Sequence, residues 1–381
     1  MILPPATLGM LGGGQLGRFF VSAAHEMGYK VWVLDPDENS PAGLIANRHL
    51  RADYDDVAAL DEMAANCAAI TTEFENVPAA TLERLARSVP VRPSAAAVAV
   101  CQDRIDEKTF LAAHGLPHGP FAVIRTAEDI RAANAGLFPA VLKVARLGYD
   151  GKGQARVADR DEALAAFAGF DHEPCVLERM LSLDFEMSVV LVRDAEGHTR
   201  CFPTVENRHR NGILDVSIAP ARATACQRDD AQGLAQRVAE KLGYVGTLAV
   251  EFFVSRGTLM VNEMAPRPHN SGHHTVDACV TSQYDQQVRA LAGLPLGEAR
   301  QHSPAVMVNL LGDLWFDGDR VAEPDWGVLH AVPGLRLHLY GKHAPRPGRK
   351  MGHFTVIGGD GPTVLARAMA ARAAIGIRDG A

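Results

Sequence analysis

Two glutamates, Glu251 and Glu263, each stand inside an apolar run, LAVEFFV and TLMVNE, and a short segment containing Gly257 joins the runs. With a turn centred on Gly257, the runs form a β-hairpin in which Glu251 lies directly opposite Glu263 on one face. Like charges facing each other across a ladder destabilise it. A divalent cation between them reverses the sign, and magnesium is typically held by one or two carboxylates together with substrate phosphates. The pair is therefore expected to bind a metal rather than to face water, because the neighbours of Glu251 are apolar. Glu178, in VLERM, and Glu186, in FEMSV, are expected on further strands of the same sheet, placed to receive adenine or ribose hydroxyls.

A lysine inside an apolar strand needs an anionic partner, and Lys143 in AVLKVA is such a lysine. The loop that follows, Gly148-Tyr149-Asp150-Gly151-Lys152-Gly153-Gln154, has the glycine content to fold its amides over a polyphosphate. Together they read as a nucleotide clamp, with a plain hairpin turn as the alternative. A second glycine loop, Gly12-Gly13-Gly14-Gln15-Leu16-Gly17, follows one strand and opens a helix, and Asp35 ends the next strand. That spacing is the dinucleotide fingerprint. Bare amides at a helix N-terminus nevertheless suit any ribose phosphate, and glycines also serve close helix packing. Glu73 and Glu75, in TTEFENVP, end another strand of this sheet at the edge where ligands gather, with a solvated loop acid as the alternative for Glu75.

Beyond Glu263, His269 and His273 are four apart, a spacing that invites zinc. Flanking prolines and Gly272 disfavour a regular helix there and no cysteine is near, so Arg267 draws more interest, as a partner for a phosphoryl or carboxyl charge. Lys342, Arg346, Arg349 and Lys350 form a basic cluster in LYGKHAPRPGRKMGH. In an acidic chain with sparse aromatics, such a cluster fits a phosphate monoester better than nucleic acid.

The elements that must carry these groups follow from pattern. The chain has 381 residues, too many for one simple core. With 47% hydrophobic and 22% charged residues, each unit can bury a core. A formal charge of −7 with no basic run argues against a nucleic-acid partner. Six scattered cysteines without a C-x-x-C pair read as reduced thiols, and no apolar stretch reaches membrane-spanning length, so a cytoplasmic protein is expected. The first hundred residues alternate strands and helices, as in a parallel doubly wound sheet. One helix is predicted from Ser94 to His114, and hairpin-connected strands from Phe138 to Val261 predict one antiparallel sheet. The remainder reads as a small α+β cap.

Taken in order, MLGGGQLG, TTEFENVP, GYDGKGQ, FEMSVVLV, PTVENRH, NEMAPRPHNSGH and LHLYGK…RPGRKMGH resemble the signature blocks of the N5-carboxyaminoimidazole ribonucleotide synthetase family, over nearly the whole chain. The resemblance implies a multidomain α/β and α+β architecture: a Rossmann-like unit over 1–102, a central ATP-grasp domain over 103–297 and a small C-terminal domain over 298–381. It implies ATP contacts at Arg104, Lys143, the loop from Gly148 to Gln154, Glu178, Arg179, Met180, Leu181, Glu186, His209, Asn262 and Glu263, with magnesium, or manganese in its place, at Glu251 and Glu263. Lys152 stands where the family commonly has arginine, and Ala265 where many other ATP-grasp enzymes have a metal-binding asparagine, which Asn262 would replace.

The implied reaction is carboxylation of the amine of 5-aminoimidazole ribonucleotide with ATP and bicarbonate, through carboxyphosphate. Glu73, Tyr149, Lys152, Arg267 and His269 would serve the chemistry. Gln15, Leu16, Asp35, Asn76, Asn270, Ser271, Lys342, Arg349 and Lys350 would hold the ribotide, and closure of residues 148 to 153 would exclude water. A homodimer is part of the same expectation. The rival readings are a formate-dependent ligase of the same architecture, a nicotinamide-dependent oxidoreductase and a catalytically silent binding module.

Overall fold

In the computed structural model, which describes residues 1–148, 153–318 and 320–378, the N-terminal strands are short apolar runs and the helices between them are amphipathic. The order is β1 (Thr7–Leu11), α1 (Gln15–Glu26), β2 (Lys30–Leu34), β3 (Arg48–Leu50), α2 (Val57–Asn66), β4 (Ala69–Thr72), α3 (Ala79–Ala86) and α4 (Ala95–Gln102). The strands form a parallel sheet in the order β3-β2-β1-β4. Strand β3 escapes a reading by hydrophobic pattern because Arg-His-Leu is no apolar run; its backbone simply continues the edge beside Trp32–Leu34. The helix expected from Ser94 to His114 is broken. Asp103 takes an extended conformation and its carboxylate accepts the N–H groups of Ile105 and Asp106, starting a new helix, α5 (Arg104–Ala113).

The middle of the chain makes two sheets where one was expected. The smaller consists of β5 (Phe121–Ile124), β6 (Ala140–Val144), β7 (Gln154–Val157) and β8 (Cys175–Arg179) in the order β5-β8-β6-β7, with α6 (Ala127–Ala132) and α7 (Arg160–Gly169) packed on it. The larger begins with β9 (Phe185–Arg193), β10 (Thr199–Cys201), β11 (Val205–Arg210) and β12 (Ile213–Ala219), and gains β13 (Gly246–Ser255) and β14 (Thr258–Ala265) after helix α8 (Ala225–Lys241). Leu234, Val238 and the alanines Ala231, Ala235 and Ala239 of α8 bury one face of this sheet. TRCFPTVE, read as one strand, is split between β10 and β11.

After the short α9 (Thr275–Ala278), helix α10 (Gln283–Ala292) returns to the N-terminal unit, where Tyr284, Val288 and Leu291 join the core formed by Leu8, Phe20, Val31 and Val33. The C-terminal strands are continuous with the large sheet. β15 (Ala305–Leu311) pairs with β12 from Val216↔Val308 to Ala219↔Ala305, and β19 (Lys350–Ile357) and β18 (Leu335–Leu339) follow outward. A small ribbon, β16 (Phe316–Asp317) with β17 (Arg320–Val321), and helices α11 (Gly327–His330) and α12 (Gly361–Ala374) complete this end. Among the described residues, no helix is long and apolar enough to cross a membrane.

A carboxylate-lined cleft between two sheets

The β13/β14 hairpin brings Glu251 opposite Glu263, but not by the route the spacing suggested. The turn is a two-residue one, Arg256-Gly257, with both φ angles in the left-handed region (49° and 75°), so Ser255 pairs with Thr258. Carried straight back, that register would set Glu251 against Asn262. A bulge in which Asn262 is the extra residue moves the pairing by one, and Glu251 meets Glu263 instead.

Both glutamates line a cleft of about 720 Å³ between the two sheets. Burial, then the charge of Glu263, pushes the Glu251 carboxyl from an ordinary 4.5 to about 7, against the pull of His209 and Lys350. Enclosure also pushes Glu263 upward, but Arg104, whose Nη1 is 3.1 Å from Oε2, with Lys143 and Lys108 outweighs it and holds Glu263 below its ordinary value. The Glu263 side chain keeps 40% of its surface open, so it is an ionised group facing the cleft rather than a sealed one. The His269 Nε2 lies 3.4 Å from Glu251, and burial, then Arg267 and Lys350, keeps this imidazole neutral.

Glu178 stands on the opposite wall, on β8 of the small sheet, and not on the sheet of Glu251 as expected. It already has cationic partners: Lys143 Nζ at 3.0 Å and Lys108 Nζ at 3.5 Å. Burial pushes its carboxyl up, but Lys108 and Lys143 bring it down to about 2. The interior lysine thus has its anion within the protein, and its need for one does not by itself demand a phosphate. Arg179, Met180 and Leu181 follow along the rim, where exposed Met180 and Leu183 with Phe253 give the cleft an apolar stretch. On the large sheet, His209 Nδ1 lies 3.1 Å from Glu186; burial lowers the affinity of His209 for a proton, but Glu186 and Glu251 more than restore it. Gly148 accepts from Arg104 Nη2, and Gly153 and Gln154 lead into β7. Tyr149, Asp150, Gly151 and Lys152 lie outside the described residues.

The first glycine loop is filled by side chains. Gly13 N–H donates to Asp35 Oδ2 at 2.6 Å, and the amides of Gly14 and Gly17 donate to the two oxygens of Glu73 at 2.6 and 3.0 Å. A Cβ on Gly14 would stand 2.6 Å from Glu73 Oε1, so glycine here serves the approach of a carboxylate. Those amides are where a dinucleotide pyrophosphate would sit, and the nicotinamide reading loses its binding site. Gln15 starts α1 half-buried, whereas the Leu16 side chain is packed in the core.

The edge of this unit meets the cleft through Arg267, which bonds Glu75 and whose charge also bears on Glu73. Asn76 lies beside Gly148 and Arg104 in a small adjoining cavity. Across from the glycine loop lies the basic segment of the C-terminal region: Lys342 acts on the Glu73 carboxylate, and Asp37 acts on Arg349, which also bonds the Ala344 carbonyl. The Lys342 Nζ donates to the carbonyl of Lys350, whose side chain reaches the cleft. Asn270 is paired with Asn309 at the cleft floor. Ser271 is fully buried, bonded to His269 and, through Ser188, to Asn207 and Ser217, so its side chain supports the floor and is not among those lining the cleft.

His273 is not beside His269 in a metal set. It stacks on His353, which stacks on His338, both at 4.6 Å between centroids. Asp277, His338 and His353 bring ligand atoms within 4.8 Å of one another. Their two imidazoles are near-parallel at 20°, so the ring lone pairs do not converge on one ion. Two residues behind the cleft wall, Glu107 and Lys108, went unread in the sequence. They could have been found, because with Arg104 and the core residue Leu111 they fall on one helix face.

The ribonucleotide synthetase preATP-grasp domain family matches residues 5–102, the ATP-grasp domain family residues 109–284, and the phosphoribosylaminoimidazole carboxylase C-terminal domain family residues 305–367. The chain is 44% identical over 358 residues to the N5-carboxyaminoimidazole ribonucleotide synthase of Brucella melitensis, covering 93% of this chain and 97% of that one. Among solved structures, an ADP complex of N5-carboxyaminoimidazole ribonucleotide synthetase superposes with a TM-score of 0.89 at 41% identity, covering 98% of this chain and 97% of the other. The Aspergillus clavatus N5-carboxyaminoimidazole synthase, solved with ADP and 5-aminoimidazole ribonucleotide, superposes at 0.88 with 30% identity, covering 97% and 98%.

Proposed function

Because the chain belongs to the N5-carboxyaminoimidazole ribonucleotide synthase family of ATP-grasp ligases, we propose that it uses ATP and bicarbonate to carboxylate the exocyclic amine of 5-aminoimidazole ribonucleotide, a step of purine biosynthesis. A bicarbonate oxygen attacks the γ-phosphorus of ATP, the bond to the β-phosphate oxygen breaks, and carboxyphosphate and ADP form. The amine then takes the carboxyl carbon, phosphate leaves, and a C–N bond has been made.

The observation that carries this reading is the Glu251–Glu263 pair, facing across a ladder on the wall of a cleft between two sheets. A divalent cation fits there, because its charge would offset the burial and the repulsion from Glu263 that together raise the Glu251 carboxyl to about 7. Glu251 and Glu263 would hold magnesium, or manganese in its place, with Asn262 assisting. When bound, the ion supplies charge neutralisation for the ATP phosphates.

Arg104 and Lys143 would face the phosphates, the apolar stretch at Met180, Leu183 and Phe253 would face adenine, and Glu186 and His209 the ribose. Arg267 and neutral His269 stand where they would orient bicarbonate and carboxyphosphate. Glu73, Asp35, Gln15, Asn76 and Asn270 would meet the ribotide, and Lys342, Arg349 and Lys350 its 5′-phosphate. No ligand contact is assigned to the side chains of Leu16 or Ser271. The family resemblance supports a homodimer, which the mass of the protein in solution tests.

The deciding experiment measures ADP release from magnesium and ATP, with and without bicarbonate and the aminoimidazole ribotide. Full turnover should require both. Turnover with formate replacing bicarbonate would instead make the chain a formate ligase.

A further inference from the structure

Helix α5 presents Arg104, Glu107, Lys108 and Leu111 at i, i+3, i+4 and i+7, the spacing of a single face. Leu111 enters the apolar core beside Val261 and Met264 of β14. The three charged residues meet three consecutive positions of that strand. Lys108 Nζ donates to the carbonyl of Asn262 at 2.7 Å, Arg104 meets the Glu263 carboxylate at 3.1 Å, and Glu107 accepts the N–H of Met264 at 2.5 Å. Strand β14 is the outermost of the large sheet; on its open side the Val261 N–H donates to the Pro117 carbonyl, and beyond that single bridge no strand among the described residues pairs with the row. Side chains of α5 take up that row on either side of Glu263.

Lys108 and Glu107 are each only 1% exposed, and buried charges are costly unless paired. An apolar helix face could have covered this edge; what it could not do is grip individual backbone groups. The gripped residues bracket the bulge. Asn262 is its extra residue, and the bulge alone brings Glu263 rather than Asn262 opposite Glu251. Losing that offset by one residue would turn the Glu263 side chain to the other face of the sheet.

We propose that Lys108 and Glu107 are positioning residues, which lock the β14 bulge and thereby fix Glu263 opposite Glu251. Neither is among the side chains lining the main cleft. The inference rests on the reading of Glu251 and Glu263 as the magnesium and ATP site.

The test uses the full chain with Lys108→Met, Glu107→Met, Glu107→Gln and Glu107→Asp, following ADP release against magnesium concentration at saturating bicarbonate and, without turnover, magnesium binding to the ADP-bound protein by titration calorimetry, which should weaken in step. Removing the grip in Lys108→Met or Glu107→Met should raise the half-saturating magnesium concentration roughly 10- to 100-fold, the usual effect of losing a ligand's supporting partner, with the ribotide KM within about twofold of the parent. Glu107→Gln keeps an acceptor for Met264 N–H and should stay within about threefold of the parent. Should the methionine variants fail to fold, Glu107→Asp decides, because it keeps the carboxyl group but withdraws the acceptor by one methylene and should still raise the magnesium requirement. Magnesium dependence unchanged in the methionine variants, or in Glu107→Asp when it stands in for them, overturns the proposal, as does a Glu107→Gln protein as impaired as Glu107→Met. Glu263→Gln is assayed in parallel: normal turnover there would remove the metal reading itself, whereas an inactive Glu263→Gln beside unaffected α5 variants would remove only the positioning role.

Discussion

Asp35 and Glu73 at the head of α1, and Glu251 and Glu263 on the β13/β14 ladder, are both carboxylate pairs drawn into the protein, yet the chain treats them differently. The first pair is answered by backbone. Three amides of the glycine loop donate to it, and Tyr54 donates to Asp35 as well. The second pair is answered unevenly: Arg104 bonds Glu263, while among the described residues Glu251 has a neutral imidazole at 3.4 Å and more distant charges. Acids closed off by amides hold a structure together, whereas acids left in mutual repulsion would be relieved by a cation. The difference lies in what surrounds each pair, not in the residue type.

Isosteric glutamine substitutions test that contrast. The largest effect is expected for Glu263→Gln, which should reduce magnesium-dependent ADP release by a factor on the order of 10³ while leaving the circular dichroism spectrum unchanged. Next comes a gain. In chelator, Glu251→Gln should stabilise the protein by on the order of 2 kcal/mol at alkaline pH while losing turnover. The sign follows from the raised carboxyl: the folded state binds the proton more tightly than the unfolded state, so the parent loses stability as pH rises from an ordinary 4.5 through about 7. Melting curves with chelator at about pH 4 and about pH 8.5 should converge for parent and variant only at the lower pH, which lies below the ordinary carboxyl value. Equal melting at both would mean that the two pairs are alike.

Burial raises the Glu73 carboxyl too, yet Glu73→Gln should act in the opposite direction, destabilising by about 1–3 kcal/mol in denaturant titrations, because the glutamine nitrogen leaves one of the Gly14 and Gly17 amides without an acceptor. The smallest expected effect belongs to Gly14→Ala. Its φ of −72° suits alanine, so only the approach of Cβ to Glu73 opposes it, at about 1 kcal/mol of stability. If Gly14→Ala unfolds the unit outright, the loop is held by more than that carboxylate.

Much of this contrast was legible in the sequence. The facing glutamates, the strand lysine and the basic segment could be placed from residue type and spacing, and the ordered motifs pointed to the family. What could not be read was which strands share a sheet. VLERM and FEMSV carry the same apolar signature, yet Glu178 and Glu186 stand on different sheets, because pairing is decided by tertiary contacts that no local pattern encodes. The facing of Glu251 and Glu263 was reached by an expected turn position that was off and a bulge that compensated for it. Asp103 could be seen as a helix-starting residue, but an unbroken apolar and helical pattern on both sides hid the break.

Helix α10 has a consequence for synthesis on the ribosome. The parallel sheet of the first hundred residues leaves one face to be covered partly by Tyr284, Val288 and Leu291, which are translated almost two hundred residues later. Until then the nascent chain carries an open apolar surface, a natural target for chaperones. A fragment ended at the first domain boundary should therefore aggregate, and adding the 283–292 peptide in trans should rescue its solubility.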